Sequence, residues 1–229
     1  MAMRFERRAR PGRTEFWVFG VPAELQPALE HIWAGGRHGE GWCKSFDPAA
    51  YLADEAFANL QRLLVPALRQ VAGLDPVPWA DALEQTCRRL IPAGVDWWLA
   101  GSAALAVRGA PLTPGDLDLI VAGPDALRTG DLFADGLFEP VARGEWPISE
   151  WWGRALIGGA RVEWAGGMTP AADEPDVSDV GLTAAAALDT VRWHGWDIRV
   201  PPLALQRAVS LRRGLPGRVA AIDRLAAAG

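Results

Sequence analysis

Apolar and polar positions alternate in short runs at both ends of the chain and recur with helical spacing between them. Phe5, Arg7 and Ala9 share one face of a run that turns at Pro11-Gly12. Phe16 and Val18 alternate after the turn, so residues 1–20 read as a hairpin. A helix is expected from Ala23 to Trp33, stopped by Gly35-Gly36, with Arg37 to Trp42 as loop. Asp47-Pro48 reads as the N-cap and first position of a helix that carries Phe57, Leu60, Leu64 and Leu68 and is kinked at Pro66. Leu74 to Pro78 is the best linker, and Trp79 to Leu90 is an amphipathic helix. A strand over Asp96–Ala100 then meets Gly101-Ser102 and the helix formers Ala103 to Arg108. Residues 152–160 alternate again, and Val191 to Ile198 reads as a hairpin that turns at His194-Gly195.

The most informative alternation runs from Gly115 to Val121. Leu117, Leu119 and Val121 are apolar, with Asp116 and Asp118 between them. Side chains at i and i+2 of a strand share a face, so the two carboxylates point the same way. Close carboxylates resist ionising together, which calls for a cation between them. Mg²⁺ fits, because it takes oxygen ligands and often only one or two carboxylates, leaving room for phosphate oxygens. Gly101 lets backbone approach a ligand closely, and Ser102 opens a helix whose first N–H groups favour phosphate.

The segments LAGSAALAVRG and TPGDLDLIV resemble the nucleotidyltransferase superfamily related to DNA polymerase beta. Its signature is a Gly-Ser turn after a first strand, a helix, and then an Asp-x-Asp strand. The version here is most similar to the small bacterial branch. That branch includes antibiotic and minimal nucleotidyltransferases and the toxin component of certain toxin–antitoxin pairs. The resemblance implies a third acid within a later strand, and Glu163 in Arg161-Val162-Glu163-Trp164 matches it. Asp197 to Leu203 resembles the strand and proline step that leads into the family's closing helices, so the likeness spans roughly residues 80–229.

The resemblance implies an α/β (α+β) fold, a mixed sheet with flanking helices, over residues 75–229, including a C-terminal helical segment. Residues 1–74 then form an N-terminal extension of hairpin and helices, expected to dock beside the cleft and limit which acceptor enters. One or two Mg²⁺ or Mn²⁺ ions would be held by Asp116, Asp118 and Glu163, with Glu163 completing a second metal position or acting as base. Gly101 and Ser102 would hold the β- and γ-phosphates of a nucleoside triphosphate, with ATP the expected donor. A nucleoside monophosphate would pass to a hydroxyl on a small molecule. An RNA acceptor, as in a toxin-like member, and a non-catalytic nucleotide-binding or regulatory protein are the alternatives. Related proteins often carry a Lys on the first closing helix, where Ser210 stands here, and an Asp near the position of Arg218. Arg207 and Arg212, or Arg213, are the candidates to supply the missing charge to the nucleotide from a neighbouring turn.

Composition narrows this picture. The chain has 229 residues, 50% of them hydrophobic, enough for one large domain or two small ones with a real core. A net charge of -5 provides no global field for nucleic acid. The Arg-rich hairpin (Arg4, Arg7, Arg8, Arg10, Arg13) is the local exception, read as a charged edge strand or as a contact for a polyanion. Cys43 and Cys87 stand alone, no stretch has the length of a membrane span, and the first residues lack a leader-like apolar run, so a cytoplasmic protein is expected. Of 12 Trp, most are expected to pack in the core rather than stack on a base. Lys44 is the single lysine, and the three His do not form a metal set.

Overall fold

The computed structural model of the chain describes residues 2–33, 36–39, 41–144 and 147–228. Alternation builds the first sheet: β1 (Arg4–Arg10) and β2 (Arg13–Phe19) pair antiparallel around the Pro11-Gly12 turn. The buried face of β2 carries Phe16 and Val18, as the pattern predicts. A short helix, α1 (Gln26–Ile32), follows a 3-10 turn at Ala23–Leu25. The expected stop at Gly35-Gly36 falls partly outside the described residues. Within the stretch expected as loop, β3 (Arg37–His38) and the start of β4 (Gly41–Phe46) pair instead, and the sheet order is β1-β2-β4-β3. The register from Thr14↔Phe46 to Phe19↔Gly41 explains the difference. The free edge of β2 recruits β4, a pairing that a Gly- and His-bearing run does not signal locally.

The helix α2 (Ala53–Val71) starts later than Asp47-Pro48. Tyr51 exchanges both backbone hydrogen bonds with Val141, which holds the chain extended there, and Leu52 takes a left-handed φ of 59° before the helix begins. The Asp47 carboxylate instead accepts the N–H of Ala49 at 2.7 Å and closes a turn. The helix continues through Pro66, with Leu60, Leu63, Leu64, Ala67 and Leu68 buried on one stripe. Next, α3 (Trp79–Leu90) has the bounds that the periodicity predicts.

A five-stranded mixed sheet forms the centre of the fold. Its strands are β5 (Trp97–Ala100), β6 (Leu117–Val121), β7 (Leu137–Arg143), β8 (Ser149–Ile157) and β9 (Ala160–Met168), in the order β5-β6-β9-β8-β7. Only β6 and β9 pair in parallel. Between strands run α4 (Gly101–Ala106) and α5 (Asp125–Leu132). One face of the sheet carries Leu117, Leu119, Val162 and Trp164, all buried, and Phe133 meets Trp164 edge to face at 5.7 Å. The chain closes with α6 (Leu182–Ala185), the hairpin β10 (Asp189–Trp193) and β11 (Trp196–Val200), and α7 (Leu203–Arg212) and α8 (Pro216–Ala228). A single apolar cluster joins Phe16, Trp33 and Leu64 from residues 1–74 to Leu119 and Trp164 of the mixed sheet. Among the described residues no helix is long and apolar enough to cross a membrane.

Candidate active site

The apolar run Trp97–Ala100 forms β5, fully buried, and the chain turns at once into α4 through Gly101. Gly101 has φ +61°, and a Cβ there would collide with the carboxylate of Asp118. Only glycine lets the turn approach that acid so closely. No side chain caps α4, and Gln206 on α7 donates to the Gly101 carbonyl at 3.2 Å, tying the closing helices to the turn. Ser102 is buried in this corner.

Sheet register decides which acids meet. Asp118 stands opposite Glu163 in the parallel pair of β6 and β9. Glu163 stands opposite Arg154 on β8, and Arg154 opposite Glu139 on β7. Directly opposed residues share a face, so Asp118, Glu163, Arg154 and Glu139 form one row across four strands. Asp116, just before β6, and Arg161, two residues before Glu163, flank the row on the same side.

The charges along this face alternate. Lys44 donates to Glu139 at 2.6 Å and Trp33 to the same carboxylate at 2.8 Å. Arg154 donates to Glu139 at 2.6 Å, to Glu163 at 2.7 Å and to the Ile32 carbonyl at 3.2 Å. Arg161 bonds Asp116, and its Nε lies 2.8 Å from Glu163 Oε1, off the hydrogen-bond direction. The result is an ion-pair ladder, Lys44, Glu139, Arg154, Glu163, Arg161, Asp116, running from the N-terminal sheet to the Asp-x-Asp strand. Burial pushes the Glu139 carboxyl up, but Arg154 and then Lys44 outweigh it and hold it below the ordinary value. Asp118 lies off the ladder. Its carboxyl is pushed up to about 7, first by burial, then by Asp116 and Glu163, and Arg161 and Arg218 offset this only in part.

The structure therefore brings Gly101, Ser102, Asp116, Asp118 and Glu163 to one corner. It places Arg207 and Arg212 elsewhere. Arg207 is paired with Asp223 on α8 at 2.6 Å in solvent, and Arg212 donates to the Val177 carbonyl and lies 3.8 Å from Asp176. Arg218 is the cation of the closing helices whose charge reaches Asp118, and Ser210 is buried on α7. The pattern around Glu163 did not single out Arg154, Arg161, Glu139 and Lys44. The one local hint was Arg161 at i-2 from Glu163, on the same strand face. Among the described residues no three His, Cys, Asp or Glu side chains converge as a ready metal group, because Arg161 and Arg154 stand against Glu163. Asp116 and Asp118 are nevertheless a fitting donor pair for a hard cation. Both offer oxygen, and among the described residues no side chain bonds Asp118. A cavity of about 180 Å³ opens beside Asp116, lined also by His31, Ile32, Arg154, Arg161 and Glu163.

No protein-family model matches the chain, and no curated protein matches it. Among solved structures it is similar to a candidate nucleotidyltransferase (TM1012) from Thermotoga maritima, at 21% identity and a TM-score of 0.47 over 64% of this chain and 91% of that one. It is also similar to ANT(2")-Ia, solved with adenylyl-2"-tobramycin, at 15% identity and a TM-score of 0.40 over 64% of this chain and 93% of that one. At these levels the chemistry of the site rests on its own residues.

Proposed function

We propose that the protein is a nucleotidyltransferase that moves a nucleoside monophosphate from a nucleoside triphosphate, with ATP the expected donor, to a hydroxyl acceptor. The observation that carries this reading is the close approach of Asp118 to the Gly101 turn, with Asp116 on the same strand face and no side chain bonding Asp118 among the described residues. Asp116 and Asp118 are the residues to hold Mg²⁺ or Mn²⁺, which when bound would offset charge on the triphosphate. The Gly101-Ser102 turn presents backbone N–H groups of α4 to the phosphates. In the transfer the acceptor oxygen bonds the α-phosphorus, the bond from that phosphorus to the β-bridging oxygen breaks, and pyrophosphate leaves. Glu163, on the same face, is the group assigned to take the hydroxyl proton. Catalysis is then mostly placement and charge neutralisation.

A small acceptor is favoured over RNA by the net charge of -5. One observation favours a second reading, a non-catalytic nucleotide-binding protein: Arg161 already neutralises Asp116 and contacts Glu163. Incubation with labelled ATP, CTP, GTP or UTP and Mg²⁺, against aminoglycosides, other polyols and RNA, separates the two. A labelled adduct is expected with a small polyol. Metal-dependent nucleotide binding without any adduct would establish the second reading instead.

A further inference from the structure

Arg161 is unusual among the cations of this protein. It is 7% exposed, it touches two acids of the candidate site, and its Nη1 has no hydrogen-bond partner although it is buried. Its two contacts are one-sided. It takes Oδ2 of Asp116 and lies against Oε1 of Glu163, the same oxygen that Arg154 uses. Among the described residues no side chain bonds Oδ1 of Asp116. His31 and Ile32 line the cavity beside it, and the Ile32 carbonyl accepts from Arg154.

We propose that Arg161 is the resident cation between Asp116 and Glu163, so that the protein takes a single divalent ion, at Asp116 and Asp118. This rests on the metal site proposed above and deepens it. A second ion bound by Asp116 and Glu163 would either sit against a fixed guanidinium or expel it. The first meets like-charge repulsion, and the second takes a buried guanidinium away from both of its acids. Arg161 is in this sense a positioning residue. It fixes the Asp116 carboxylate and sets how many ions the acids accept.

The test is a count of Mn²⁺, used alone as the probe, on the full chain by equilibrium dialysis and electron paramagnetic resonance. One ion per chain is expected. Arg161→Met, checked for folding by circular dichroism, should bind a second ion or bind the first at least tenfold more tightly. If that variant does not fold, Arg161→Lys decides. An ammonium lacks the fork that bridges two acids, so the affinity for Mn²⁺ should again rise severalfold. Two ions on the unmodified protein, or an unchanged count and affinity in a folded variant, would overturn the inference while leaving the metal site standing. No Mn²⁺ on any of these proteins would overturn both.

Discussion

Glu139 and Asp118 stand in the same row of the same sheet face, one on β7 and the other on β6, yet their surroundings move them in opposite directions. Glu139 is completely buried and still held below its ordinary range, because Arg154, Lys44 and Trp33 all donate to it. Asp118 keeps more exposed surface, yet burial first and then Asp116 and Glu163 push it up to about 7, and no side chain bonds it among the described residues. Burial alone therefore does not decide the state of a carboxylate here; the count of paired cations does. The Glu139 end is a completed structural joint between the N-terminal sheet and the mixed sheet. The Asp118 end keeps an unbalanced charge, as a site for a cation requires.

Breaking the completed end should have the largest effect. Glu139→Ala removes the acid of Lys44 and one of the two acids of the buried Arg154, and a loss of about 3 kcal/mol in urea denaturation is expected. A loss below about 1 kcal/mol would show that the ladder does not join the two sheets. The same group predicts a pH dependence. A carboxyl held below its ordinary value of 4.5 stabilises the fold at all higher pH, and this contribution is lost as pH falls through the folded value. Glu139→Gln should therefore flatten the acid limb of stability against pH.

At the other end the signs reverse. Asp118→Asn should lower transfer by about 100-fold or more, since charge offset by a metal is worth several kcal/mol. In metal-free buffer the same variant should melt higher, by about 1 kcal/mol of stability, because an unbalanced buried charge is gone. A thermal scan that shows Asp118→Asn melting lower would refute the contrast with Glu139. Lys44→Met removes only one of three donors to Glu139 and keeps the apolar stem, so about 1–2 kcal/mol is expected by the same denaturation measurement. The smallest effect belongs to Arg207→Gln. Its partner Asp223 is half exposed, so stability and nucleotide affinity should both stay within error, as read by calorimetry.

Much of the arrangement is legible in the amino-acid sequence. The hairpin turning at Pro11-Gly12, α3 over Trp79–Leu90, and the order of β5, Gly101-Ser102, α4 and β6 follow from local periodicity and turn chemistry. Alternation also placed Asp116 and Asp118 on one face. The stretch read as loop became β3 and β4, and the helix expected from Asp47-Pro48 began at Ala53, because the edge of β2 and the backbone of Val141 claim those residues. Both are distant partners that leave no local trace. Arg207 and Arg212 sit on the closing helix, which is the local signal that makes them candidates. The pairing of α7 with α8 turns Arg207 to Asp223 instead, and the segment before α6 takes Arg212.

The sequence by itself determined which acids this protein carries on its Asp-x-Asp strand, and that a glycine stands beside them, because strand period and backbone freedom are properties of neighbours in the chain. It did not determine which cations meet which acids. Lys44 reaches Glu139 across 95 residues and Trp33 reaches it across 106. Arg154 and Arg161 meet their acids through sheet register. Coulomb energy depends on distance in space and on exclusion of water, and neither exists until the sheets have packed. Tertiary structure alone left Asp118 unbalanced and Glu139 satisfied.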